Sequence, residues 1–374
     1  MEIFLCAPCV ILFVVSSMYL LRLFADVRRD LPPGPWPLPL IGNLLDLGAQ
    51  PHRSLARLAE RHGPLMTLRL GAVTTIVASS ADAARDVLQR HDAAFSARSV
   101  PDAARACAHD MFSVGWLPPS SPQWRALRKI ERRVLERDAR EPPKNDFLDV
   151  LLDYRSPEDG RGFGRQTLRS LLTDLFSAGT DTSSGTVEWA MAELLQNPPS
   201  MAKAREELAQ VIGSKSEIEE SDIGQLKYLQ AIVKEVFRLH PPAPFLLPRQ
   251  AVATTELGGY TVPKGARVLV NVWAIGRDRK LWTEPEKFMP ERFMGKEIDY
   301  RGRDFELLPF GSGRRICPGM PLAVRMVHLM LATLLYRFEW RLPREVEGNG
   351  VDMGEKFGMI LGLATPLHAI AEPI

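Results

Sequence analysis

The chain has 374 residues, 45% apolar and 25% charged, so it is globular in composition and long enough for a large core. Its 47 basic and 45 acidic residues leave a net charge of +2, which gives no support to a nucleic-acid partner. The four cysteines, Cys6, Cys9, Cys107 and Cys317, complete no zinc-ligand spacing and suit a reduced, cytosol-facing protein.

From Ile3 to Leu21 no residue is charged, and a bilayer core needs about 20 such residues. Arg22, Arg28 and Arg29 follow while only Glu2 precedes, so residues 1–22 read as a membrane anchor that leaves the rest on the cytosolic side. A cleaved signal peptide is the competing reading; it has the positive charge on the wrong flank. Residues 23–40 form a basic, proline-rich linker, and its LPPGPWPLPL stretch favours an extended spacer. Residues 41–374 read as a single body.

Pro51 to His62 predicts a short helix, and Met66 to Leu70 with Val73 to Ala78 predict two strands paired across Gly71. Ala81 to Gln89 is helical. Phe95 to Ser121, with scattered Pro and Gly, reads mostly as loop. Pro122 then opens a basic helix on which Trp124 and Arg128 share a face. At Ile130/Glu131 the texture changes to a charged helical run that ends at Pro142-Pro143. Leu168 to Gln196 is a long helix, apolar on most sides between Leu171 and Ala178, and is expected to be buried almost all round. Met201 to Ile212 and Ile223 to Leu239 are further helices. Thr255 to Val262 and Arg267 to Val272 read as strands around a Pro263-Lys264-Gly265 turn, and Phe357 to Leu363 as one more. The fold class is therefore mainly α with a minor β-sheet.

The chemistry concentrates in Phe310 to Gly319. Cys317 sits in a loop with Gly311, Gly313 and Gly319, whose conformational freedom lets amide groups point at the sulfur. The apolar helical run Met320 to Trp340 follows and offers its positive end, and Arg314 and Arg315 add charge. Each effect lowers a thiol pKa and suits a metal-bound thiolate. Inside the long helix, Ala178-Gly179-Thr180-Asp181-Thr182 places a glycine where it costs about 1 kcal/mol relative to alanine, which lets the helix kink or approach something flat. Glu235 and Arg238 share a helical face, and by themselves read as an ordinary surface pair.

Phe310-x-x-Gly313-x-Arg315-x-Cys317-x-Gly319 resembles the haem-binding signature of the cytochrome P-450 monooxygenases. The resemblance implies that fold and haem b (iron protoporphyrin IX), with Cys317 as the axial iron ligand whose thiolate favours O–O cleavage. It implies that Arg315, Arg249 and the Trp124/Arg128 pair contact the haem propionates, and that Ala178 and Gly179 lie over the haem face. Asp181 and Thr182 would relay protons during oxygen activation. Arg292, in Pro290-Glu291-Arg292-Phe293, would close on Glu235 and Arg238 as a structural lock. His240 to Pro244 and Phe357 to Leu361 match stretches that line the substrate pocket. Together with Asn145 to Leu152, the cysteine loop is most similar to plant microsomal members of the geraniol 8-hydroxylase-like branch. That implies a small lipophilic substrate of terpenoid type, an NADPH-cytochrome P-450 reductase as electron donor, and the endoplasmic reticulum membrane as location.

The resemblance breaks at Ile130/Glu131. Family members continue there with several more helices, so an internal block on the order of 100 residues, the size of a small domain, is missing. It includes the distal helices that roof the substrate pocket, and the fold is expected to be incomplete by those elements. Leu171, Leu172, Leu175 and Phe176 are then expected to lose cover. The alternative to a working monooxygenase is a truncated, non-catalytic haem-binding remnant, or an incomplete gene model.

Overall fold

The computed structural model describes residues 30–135 and 162–374 apart from 214, 216 and 349, together with 14, 17, 151, 154, 155 and 160. The anchor stretch lies outside the described residues but for Val14 and Ser17, and so does most of the segment from 136 to 161. Among the described residues no helix is long and apolar enough to cross a membrane. The chain divides into two compact units, Met1–Ser99 with Phe245–Ile275, and Val100–Pro244 with Gly276–Ile374.

The first unit holds helix α1 (Pro51–His62), which starts on a proline and ends on Arg61 and His62, both favourable for the helix dipole. Strands β1 (Leu65–Leu70) and β2 (Val73–Ala78) pair antiparallel in the register Leu65 with Ala78 to Leu70 with Val73. The expected loop after Phe95 contributes a short edge strand, β3 (Ala97–Arg98), and, past Ser99 and within the second unit, the one-turn helix Asp102–Ala106. Strand β4 is Arg249–Gln250. The expected strand Thr255 to Val262 is instead a hairpin, β5 (Thr255–Leu257) and β6 (Tyr260–Val262). Gly258 and Gly259 turn it with φ of 60° and 82°, which other residues resist. Strand β7 (Arg267–Val270) lies parallel to β2 and completes a sheet of order β1-β2-β7-β4-β3. Leu55, Met66, Leu68, Val77 and Leu269 form its core. The proline-rich segment is more than a spacer, since Pro33 accepts from the Thr67 amide at 2.9 Å.

The second unit is helical. Helix α2 (Pro122–Leu135) runs without interruption through Ile130/Glu131, where the sequence suggested a separate charged helix. Helix α3 (Arg165–Gln196) is followed by α4 (Pro198–Ile212), α5 (Lys227–Leu239) and α6 (Met320–Arg337). Two small antiparallel ladders finish it: β8 (Phe338–Arg341) pairs with β11 (Ile370–Pro373), and β9 (Glu355–Phe357) with β10 (Leu361–Leu363). Its main core joins Trp189 and Leu194 of α3, Leu208 of α4, Leu229 and Ile232 of α5, and Leu331 of α6.

Helix α3 is not buried all round, and of the four residues expected to lose cover Phe176 does so. The C-terminal half of the helix is the buried part, whereas every residue from Phe176 to Asp181 is exposed, Phe176 at 73%. Leu171, expected to lose cover, is fully buried, in a cluster with Val114, Leu117, Leu127 and Leu151. Leu172 and Leu175 pack partly on that cluster. The apolar face thus finds partners through Leu175 and none further along among the described residues. An open groove of ≈ 890 Å³ lies along this half, lined by Leu168, Leu172 and Phe176 with Arg165 and Arg169.

Candidate active site

The cysteine loop is built from its two ends. Phe310 packs edge-on to Phe237 of α5 at 5.2 Å and to Tyr300 at 5.9 Å. Its carbonyl accepts from the Cys317 amide at 2.9 Å, closing the loop. Gly311 and Gly313 hold φ of 70° and 69°, which other L-residues resist. Gly319 is different. Its φ of −77° is open to any residue, and a Cβ there would meet the Cys317 sulfur at an ordinary 3.8 Å. Cys317 is half-buried, two residues before the N-cap of α6, so its sulfur belongs to the positive end of that helix.

Trp124, Arg128 and Arg315 come together beside this loop. Arg315 is 8% exposed and donates Nη1 to the Val114 carbonyl at 3.3 Å and Nη2 to the Leu117 carbonyl at 2.6 Å. The Trp124 indole donates to the same Val114 oxygen at 3.1 Å. Arg128 donates to the carbonyl of Ile316 at 3.0 Å. Both guanidiniums lie near the Trp124 ring, Arg315 at 5.2 Å and Arg128 at 5.7 Å from its centroid. Arg249 belongs to the other compact unit. It is buried, donates to the Phe95 carbonyl at 3.5 Å, and burial lowers its pKa to about 10 against the pull of Asp92.

Glu235, Arg238 and Arg292 do meet, and not at the surface. Glu235 and Arg238 are 0% and 1% exposed. Arg238 grips the carboxylate with Nε and Nη2, both at 2.8 Å, Arg292 Nε adds a contact at 3.0 Å and the Met289 amide one at 2.8 Å. The remaining guanidinium donors reach the carbonyls of Gly276, Pro285 and Lys287 from Arg238 and of Thr283, Glu284 and Lys287 from Arg292. A buried ion pair is worth having only when its other donors are satisfied in this way.

On α3 the helical ladder continues through Gly179, and a Cβ there would meet nothing within 4 Å. Thr182 donates its hydroxyl to the Ala178 carbonyl at 2.6 Å, and Asp181 is exposed. One group in this unit, Asp174, was not anticipated, and another, His240 of the pocket-lining stretch, is buried on a carboxylate. Asp174 accepts from Ser113 Oγ at 2.9 Å and the Val114 amide at 3.0 Å, and contacts His109 Nε2 at 2.8 Å. A lone carboxylate in the mostly apolar run from Leu171 to Phe176 was the available signal. His240 meets Glu193 at 2.7 Å and stacks on Trp189 at 3.8 Å. Burial holds its imidazole below the usual 6.5, although Glu193 pulls the other way.

These residues suit a haem. The half-buried thiol sits at a helix N-terminus, two arginines are held beside it on backbone carbonyls, and Gly179 offers bare backbone with open space over it. The cytochrome P-450 family matches residues 32–135 and 129–366. Geraniol 8-hydroxylase of Catharanthus roseus is 40% identical over 488 aligned positions, which cover 96% of this chain and 98% of the relative. Geraniol 8-hydroxylase of Swertia mussotii is 39% identical over 487, covering 97% and 98%. Among solved structures, a zebra fish cytochrome P-450 determined with abiraterone superposes with a TM-score of 0.75 at 24% identity, covering 87% of this chain and 100% of that one, a likeness of fold.

The chain belongs to the cytochrome P-450 family. It is by family a haem-dependent oxidoreductase of monooxygenase type with an incomplete form of that fold. The two matched segments meet at 129–135, and the 488 aligned positions exceed the 374 residues of the chain, so the gap falls inside it, where the sequence resemblance breaks.

Proposed function

We propose that this chain is a haem-thiolate monooxygenase that inserts one oxygen atom into a small lipophilic substrate of terpenoid type. The observation that carries the reading is the Cys317 loop, closed on Phe310 and placed at the N-terminus of α6 beside Arg128 and Arg315. The names of the 40% and 39% identical relatives, both geraniol 8-hydroxylases, support the substrate class. Haem supplies the redox chemistry when bound. Cys317 would ligate its iron, and Arg315, Arg128 and Trp124 would receive its propionates, which need cations when buried. Thr182 and Asp181 would pass protons from solvent, to which Asp181 is open. Electrons would come from an NADPH-dependent reductase, and residues 1–22 would anchor the chain in the endoplasmic reticulum membrane with the body facing the cytosol.

A second reading is favoured by the bare face of α3 from Phe176 to Asp181, which would leave bound haem open to water. On it, the chain holds haem and turns over poorly. The test pairs two measurements. The reduced protein under carbon monoxide is expected to show a thiolate-type Soret band that is lost in Cys317→Ala; no haem uptake at all overturns both readings. Product formed from geraniol with NADPH and reductase supports the first reading, and haem without product supports the second.

A further inference from the structure

We propose that Asp174 is a positioning residue for the haem, fixing the Val114–Leu117 turn whose carbonyls hold Arg315 two residues ahead of Cys317. This rests on the reading of Cys317 and Arg315 as haem-contacting residues.

The Asp174 carboxylate is engaged on both oxygens. Oδ1 accepts from Ser113 Oγ at 2.9 Å and faces His109 Nε2 at 2.8 Å, and Oδ2 accepts from the Val114 amide at 3.0 Å. Ser113 is fully buried, and its hydroxyl oxygen also accepts from the Gly115 amide at 3.1 Å. The Leu117 amide closes the turn on the Ser113 carbonyl at 2.9 Å. The turn is therefore pinned to α3 at one edge. Its other edge carries the Val114 and Leu117 carbonyls that accept both Nη groups of Arg315, the first shared with the Trp124 indole.

The Val114 carbonyl shares a rigid peptide plane with the Gly115 amide, whose hydrogen bond Ser113 Oγ accepts, and the neighbouring plane is held through the Val114 amide, so Asp174 and Ser113 together orient that carbonyl. An ionised acceptor makes such a bond shorter and stronger than a neutral one. Without Asp174 the turn is free to shift, and a buried guanidinium that loses its acceptors must move to find others. Arg315 and Cys317 share one short loop, so the displacement reaches the sulfur. In this way α3 would influence the cysteine side through a route separate from Asp181 and Thr182.

The test is a double-mutant cycle on Asp174→Ala and Arg315→Lys, read by the rate of haem transfer to apomyoglobin and by the Soret position. Asp174→Ala is expected to speed haem loss about tenfold, the lower end of what orienting groups contribute at metal sites. Adding Arg315→Lys should then cost much less than it does alone. Asp174→Asn keeps the shape without the charge; it should fall between, and it serves if Asp174→Ala does not fold. Haem loss at the parental rate, or strictly additive effects, overturns the proposal. The same cycle is run by urea unfolding of the haem-free protein. If the parental chain takes up no haem, the haem role is overturned, while coupling in unfolding still shows whether Asp174 holds Arg315.

Discussion

The two halves of α3 are one continuous helix with opposite surroundings. Toward Gln196 it is enclosed, with Trp189, Ala190, Met191 and Leu194 in the main core. Around Phe176 to Asp181 it is bare. The difference does not come from helix propensity or from the apolar content of the chain, since the bare stretch contains Phe176 and Ala178 and directly follows Leu175. It comes from what packs against each half. The enclosed half meets α5, α6 and the β10 ladder, all encoded after Glu131, whereas the relatives' positions with no counterpart in this chain fall at the C-terminal end of α2, where the two matched segments overlap. Burial is a property of partners, and an apolar stripe records only that partners were once expected.

The sharpest way to break this comparison is at the enclosed side. Glu235→Ala leaves the guanidiniums of Arg238 and Arg292 buried without their carboxylate. Removing one partner of such a pair costs about 3–5 kcal/mol, so urea unfolding should show a loss of that size or an insoluble product. Next come Leu171→Ala and Phe176→Ser, two apolar deletions little more than a turn apart. The first should cost about 2–5 kcal/mol because Leu171 is fully buried. The second should change stability by no more than about 0.5 kcal/mol and improve solubility, because Phe176 faces solvent. Equal losses in the two would show that the bare face is covered in solution. The smallest effect is the pH response of His240. Its folded pKa is depressed below 6.5 by burial, so the unfolded chain takes up a proton that the folded chain refuses. Stability should therefore be full above pH 6.5 and fall below it, by about 1.4 kcal/mol per pH unit at most, and His240→Gln should flatten the slope.

Much of the fold was legible because local chemistry marked it. Pro51 and His62 bound α1 as read, and the β1 and β2 strands pair across Gly71 as the alternation suggested. The site was legible through a signature dense in glycine and arginine around one cysteine. What misled were stretches read by themselves. Taken alone, Glu235 and Arg238 look like a surface pair because their enclosure comes from residues 276–292, distant in sequence, and only the resemblance brought Arg292 to them. Of the residues from Leu171 to Phe176 expected to lose cover, Phe176 is bare, while Leu171 keeps partners in the 114–127 region that are distant in sequence. Thr255 to Val262 looked like one strand because the turn-forming role of Gly258 and Gly259 was passed over for the neighbouring Pro263-Lys264-Gly265.

Helix α3 can also be regarded mechanically, as a beam gripped at both ends. Asp174 and Leu171 clamp one end to the 109–117 segment, and Trp189 and the Glu193–His240 pair clamp the other. The stretch from Phe176 to Asp181 between them spans roughly 9 Å at 1.5 Å per residue with no lateral support among the described residues. Gly179 lies in that span, and it is the residue whose backbone resists distortion least. Any load passed along the helix is therefore concentrated at the one position where a flexure would change the surface offered to a flat ligand.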